Sequence, residues 1–80
     1  MQRTELLTRL RSTLLRIDPT ISQDLTDACR FQDCNLDSLD LVEFIARLEQ
    51  EFALQITDSD FAKLVSLEAT ADYLTGRLAA

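Results

Sequence analysis

The sequence predicts an all-α fold: a small four-helix bundle of three main helices plus one short helix, with a long loop between helices 1 and 2. Two observations carry that prediction. Apolar residues recur at three- and four-residue spacings along three segments. A single Gly and a single Pro in 80 residues are too few turn formers for an all-β fold. The length suits one domain spanning residues 1–80, and 46% hydrophobic with 28% charged residues is the composition of a globular chain.

Leu6, Leu7, Leu10, Leu14 and Ile17 form one helical stripe, with arginines mostly on the other side. Helix 1 is therefore expected at about residues 2–17. Pro19 stops it, because the residue before proline avoids helical angles. Residues 18–37 form the long connection, which Ile21, Leu25, Phe31 and Cys34 are expected to pin to the core, with a short helical turn within 22–28. Leu41, Ile45, Leu48 and Phe52, with Val42 beside them, give the next helix at about 38–52. Either Asp37 or Ser38 suits its N-cap. Asp40 and Glu43 sit where the helix dipole favours carboxylates, and Glu43–Arg47 is an i, i+4 pair. After a link over 53–57, Thr57 or Asp58 caps a brief third helix ending near Leu64. Ser66 caps a fourth over about 67–78, whose stripe is Leu67, Ala71, Leu74 and Leu78.

The formal charge of −6 is unevenly spread. Residues 1–17 carry four arginines against Glu5, a net of +3, whereas residues 18–80 carry a net of −9. Nucleic acid is repelled by such a surface, and basic protein surfaces are the expected partners. No segment reads as a signal peptide or a membrane span. The expectation is a cytoplasmic protein, a monomer that uses no membrane, in which Cys29 and Cys34 are reduced thiols serving as small half-buried hydrophobes. Without any His, a Ser-His or Cys-His catalytic pair is excluded. There is no glycine-rich phosphate loop. The chain reads as something other than an enzyme. Asp33, Asn35 and Asp37 match the first ligand positions of a calcium loop, but Ser38 and Phe44 stand where its Gly and bidentate Glu belong, so no metal site is expected.

The informative stretch is Asp37-Ser38-Leu39-Asp40, where the irregular connection meets an amphipathic helix. A hydroxyl there is reachable by another protein, and a phosphodiester on it would lie beside the free amides and positive dipole end of the helix. By itself such a serine is usually a cap. The wider pattern is more specific. Asp37-Ser38-Leu39-Asp40-Leu41-Val42-Glu43, Leu48-Glu49-Gln50-Glu51-Phe52, Ile56-Thr57-Asp58, Leu67-Glu68-Ala69 and Asp72-Tyr73-Leu74 follow one another in a single register from Phe31 to Leu74. In this the chain resembles the acyl carrier protein family of phosphopantetheine-binding carriers.

The resemblance implies a covalent 4′-phosphopantetheine on Ser38, flanked by Asp37 and Leu39, bearing acyl intermediates as thioesters. It implies a phosphopantetheinyl transferase and acyl-transferring synthases with basic surfaces as partners, for a fatty-acid, polyketide or related specialised acyl pathway. Asp37, Asp40, Glu43 and Glu49 would face those partners, together with Arg47 and Glu51. Leu41, Val42, Ile45, Phe61 and Leu67 would line an acyl pocket while also serving as core. Where the family has Leu-Gly before its Asp-Ser region, this chain has Cys34-Asn35, and Asn tolerates the positive φ such a turn uses. An aminoacyl, aryl or peptidyl carrier, and an unmodified acidic helical interaction module, are the alternatives.

Overall fold

Leu6, Leu10 and Leu14, at most 2% exposed, define the inner face of α1, Arg3–Ile17. The computed structural model describes residues 2–21, 25–34 and 36–79. The helix stops as expected at Asp18, whose extended backbone breaks the helical run and whose N–H donates to Leu14 O at 3.0 Å. Asp18 Oδ1 then accepts from the hydroxyl and the N–H of Thr20. These bonds start a 3-10 turn at Pro19–Ile21 and hold the carboxyl below its usual pKa range.

The long connection is tied down by both side chains and backbone. Ile21, Leu25, Phe31, Cys34 and Leu36 are buried. Arg11 of α1 donates to Leu25 O at 2.6 Å and to Asp27 Oδ1 at 2.8 Å. The N–H of Phe31 donates to Val65 O, and that of Glu68 to Asp27 O, each at 2.8 Å. Of the turn expected within 22–28, residues 27–28 form a turn and 22–24 lie outside the described residues, as does Asn35. A second 3-10 turn, Phe31–Cys34, precedes α2. Cys29 and Cys34 are joined by a disulfide, their Cα atoms 7.0 Å apart. This corrects the expectation of two reduced thiols. Compartment and motif spacing suggested that expectation, but neither reveals that the turn folds the two sulfur atoms together.

The next helix, α2, is Ser38–Phe52, and its buried residues are Phe44, Ile45 and Leu48. The expected face is thus rotated. Phe44 is fully buried and meets Phe31 edge-on, ring centroids 5.9 Å apart, while Val42 is 57% exposed. The helix ends at Ala53, whose φ of 53° is left-handed and whose N–H donates to Glu49 O. Glycine usually fills this position, because a Cβ there is crowded.

Thr57 caps α3, Asp58–Phe61, its hydroxyl accepting from Asp60 N–H at 3.2 Å. The helix is shorter than the expected run to Leu64, and residues 62–63 are turns. Ser66 caps α4, Leu67–Ala79, accepting from Ala69 N–H at 3.0 Å. Leu67, Ala71 and Leu74 are fully buried, whereas Leu78 is 45% exposed, so the stripe runs out one turn before the expected end. Among the described residues there are helices and no strands. The core is a single cluster to which α1, α2, α4 and the long connection all contribute. No described helix is long and apolar enough to cross a membrane.

Candidate functional site

The head of α2 is organised by a division between two neighbours. Asp37, with extended backbone, is the N-cap, and its Oδ1 accepts from Asp40 N–H at 2.8 Å. Ser38 is therefore the first helical residue and is exposed. Its hydroxyl makes no hydrogen bond among the described residues. The ambiguity between the two caps is thus resolved in the way that leaves the serine oxygen available. Leu39 beside it is 79% exposed. The opening amides of a helix lack intrahelical partners, and Asp37 satisfies one of them. The positive dipole end still favours an anion on Ser38. An accessible hydroxyl at this end of a helix fits a phosphodiester-linked group such as 4′-phosphopantetheine.

The acidic positions of α2 are not equivalent. Asp40 is half-exposed with no cation paired to it among the described residues. Partial burial first, then the neighbouring charges of Asp37 and Asp18, push its pKa up. Glu43 is exposed and paired to Arg47 at 3.3 Å. Glu49 is diverted inward: its Oε2 accepts from Ile56 N–H at 2.8 Å, holding the α2–α3 link. Glu51 turns toward α1, 3.6 Å from Arg9 and 3.4 Å from the Thr13 hydroxyl. The outward acidic set is therefore Asp37, Asp40 and Glu43.

A groove of about 500 Å³ runs between α2 and α3, lined by Val42, Ile45, Ala46, Ile56 and Phe61, with Glu49 and Asp58 in its walls. A smaller cavity of about 150 Å³ lies beside Leu41, Phe61, Ala62 and Leu64, with Arg30 and Gln32 at the connection. Of the five pocket residues expected from the sequence, Val42 and Ile45 line the first, Leu41 the second and Phe61 both. Leu67 lines neither; it is fully buried in the core. Sequence reasoning passed over Ala46, Ile56 and Asp58. Ile56 lies in a link with no periodicity to flag it, and Ala46 is too small to mark a face.

The phosphopantetheine attachment site family model matches residues 5–74. The chain is 32% identical to an acyl carrier protein of Thermosynechococcus vestitus, with 100% of each chain covered. It is 35% identical to one of Rubrobacter xylanophilus, covering 92% of this chain and 93% of that one. The structure is similar to the solution structure of a protein assigned as an acyl carrier protein from Anaplasma phagocytophilum. That match has a TM-score of 0.82 and 28% identity, over 96% of this chain and 92% of the other.

Proposed function

The chain belongs to the acyl carrier protein family, the carriers with a phosphopantetheine attachment site, and from that premise we propose that Ser38 is the residue that bears its 4′-phosphopantetheine. Acyl carrier proteins are carriers rather than catalysts; they work with a phosphopantetheinyl transferase and with acyl-transferring enzymes. The covalently attached prosthetic group supplies a terminal thiol on which acyl groups ride as thioesters.

The observation that carries the assignment is the exposed Ser38 hydroxyl, freed by the Asp37 cap. In loading, Ser38 Oγ forms a phosphodiester bond as the pyrophosphate linkage of coenzyme A breaks. The adenosine bisphosphate portion leaves, and the transferase takes the hydroxyl proton. That division of labour suits a chain without histidine, since the base comes from the partner. Asp37, Asp40 and Glu43 then meet basic side chains of the transferase and synthases, while Leu39 and Val42 supply exposed apolar contact.

The α2–α3 groove supports an aliphatic cargo, because Val42, Ile45, Ala46, Ile56 and Phe61 present little that would hydrogen-bond it. We assign the carrier to a fatty-acid, polyketide or related acyl pathway. Cytoplasmic residence and a monomeric state belong to the same proposal; in that compartment the Cys29–Cys34 bond would be a reversible one. The test is intact mass after incubation with coenzyme A and a phosphopantetheinyl transferase. Wild type should gain the mass of one phosphopantetheine and Ser38→Ala none. An unmodified wild type, under conditions that load a control carrier, overturns the assignment and favours an unmodified interaction module.

A further inference from the structure

Helix α3 is the least rooted element of the fold. It has four residues, and none of them is buried. Yet Phe61, its last residue, lines both the larger groove and the smaller cavity. Whatever fixes α3 therefore fixes the wall between them. Phe61 itself is only partly buried against the core, so the polar contacts of α3 matter as well.

Those contacts converge on Asp60. Its Oδ2 accepts from the Tyr73 hydroxyl of α4 at 2.7 Å and lies 3.8 Å from Arg77 of the same helix. Its Oδ1 is 3.4 Å from Lys63 in the following turn. Arg77 also donates to the Tyr73 oxygen and lies over the Tyr73 ring, 5.6 Å from its centroid. Tyr73 is thereby held from two sides, its hydroxyl proton aimed at the carboxylate. The titration shifts agree with that polarity. The Tyr73 hydrogen bond is the main cause keeping the Asp60 carboxyl below its usual range. Burial first, and then Asp60, raise the Tyr73 hydroxyl. The Asp60 side chain is 25% exposed, so water competes only partly for these bonds. Charge-assisted contacts of this kind are stronger than neutral ones.

We propose that Asp60, Tyr73 and Arg77 form a latch between α3 and α4 that positions Phe61 and so keeps an aliphatic cargo enclosed between α2 and α3. The three are positioning residues: they act on the cargo through the placement of α3. The proposal rests on the acyl-carrier reading and specifies how its groove is closed. Opening the latch moves a four-residue piece that only the partly buried Phe61 packs against the core, so it costs local rather than global stability.

The test compares two thioesters, octanoyl and acetyl, on the phosphopantetheinylated full-length protein. Their hydrolysis by water at mildly alkaline pH is followed by mass spectrometry. In wild type the octanoyl thioester should hydrolyse more slowly than the acetyl one, because the longer chain draws its reacting end under the groove. Asp60→Asn and Tyr73→Phe should each speed octanoyl hydrolysis by about fivefold, the scale of one net hydrogen bond, and leave acetyl hydrolysis unchanged. Arg3→Gln, which removes the exposed Arg3–Asp72 pair between α1 and α4, controls for loosening of α4 and should leave the ratio at the wild-type value. A wild-type octanoyl advantage that persists in both variants overturns the latch alone. Equal hydrolysis of the two thioesters in wild type overturns the enclosed-cargo reading, and the latch with it. Failure to load Ser38 is a separate result, seen before either measurement.

Discussion

At the scale of single residues, the head of α2 assigns capping and availability to different side chains. Both Asp37 and Ser38 carry a short oxygen able to cap, so the sequence leaves the choice open. The structure gives the cap to Asp37, at 2.8 Å from Asp40 N–H, and thereby releases the serine. The consequence is measurable as stability. Asp37→Ala should cost about 1 kcal/mol in urea denaturation. Ser38→Ala, at an exposed position with no hydrogen bond to lose among the described residues, should stay within about 0.5 kcal/mol of wild type. Equal losses would mean that the serine also caps. The disulfide between Cys29 and Cys34 illustrates the opposite limit of legibility. No spacing rule foresees it, because it depends on how a turn folds.

At the scale of elements, all four helices were legible from periodicity and capping residues, but their faces were less so. In α2 the series Leu41, Ile45, Leu48, Phe52 is correct in spacing, yet Phe44 also belongs to it, three residues after Leu41 and four before Leu48. The fully buried Phe44 and the 57% exposed Val42 differ by only two positions, and an apolar side chain on each gives pattern alone no basis for choosing. The acidic face shows the same limit. Five carboxylates were candidates for partner contact, but Glu49 is spent on Ile56 N–H, Glu51 turns to Arg9 and Thr13 of α1 and Glu43 is shared with Arg47. Among the described residues Asp40 has no cation to release before it meets a partner. Accordingly Asp40→Lys should slow transferase loading more than Glu43→Lys does, with both variants folded by circular dichroism. Loading rates unchanged in both would remove α2 from recognition.

At the scale of the whole molecule, the uneven charge acquires a structural meaning. Three of the four arginines of α1 serve as surface cross-ties: Arg3 to Asp72, Arg9 to Glu51 and Arg11 to Asp27. They join the first helix to α4, α2 and the connection. Exposed pairs of this kind contribute little singly, whereas the net −6 acts on every part of the surface. Millimolar magnesium or added salt should therefore raise the melting temperature by relieving self-repulsion. A fall with salt would show that the cross-ties outweigh it. Sequence gave the charges and their segregation but not the pairing, which needs residues as far apart as 3 and 72 to be brought together. The shallow seating of α3 has an implication of its own. A segment that reaches the core through the partly buried Phe61 alone can shift while α1, α2 and α4 stay as they are. Empty and laden forms would then share one chassis, and an enzyme that tells them apart would have to sense residues 57–62, where the freight leaves its outward mark.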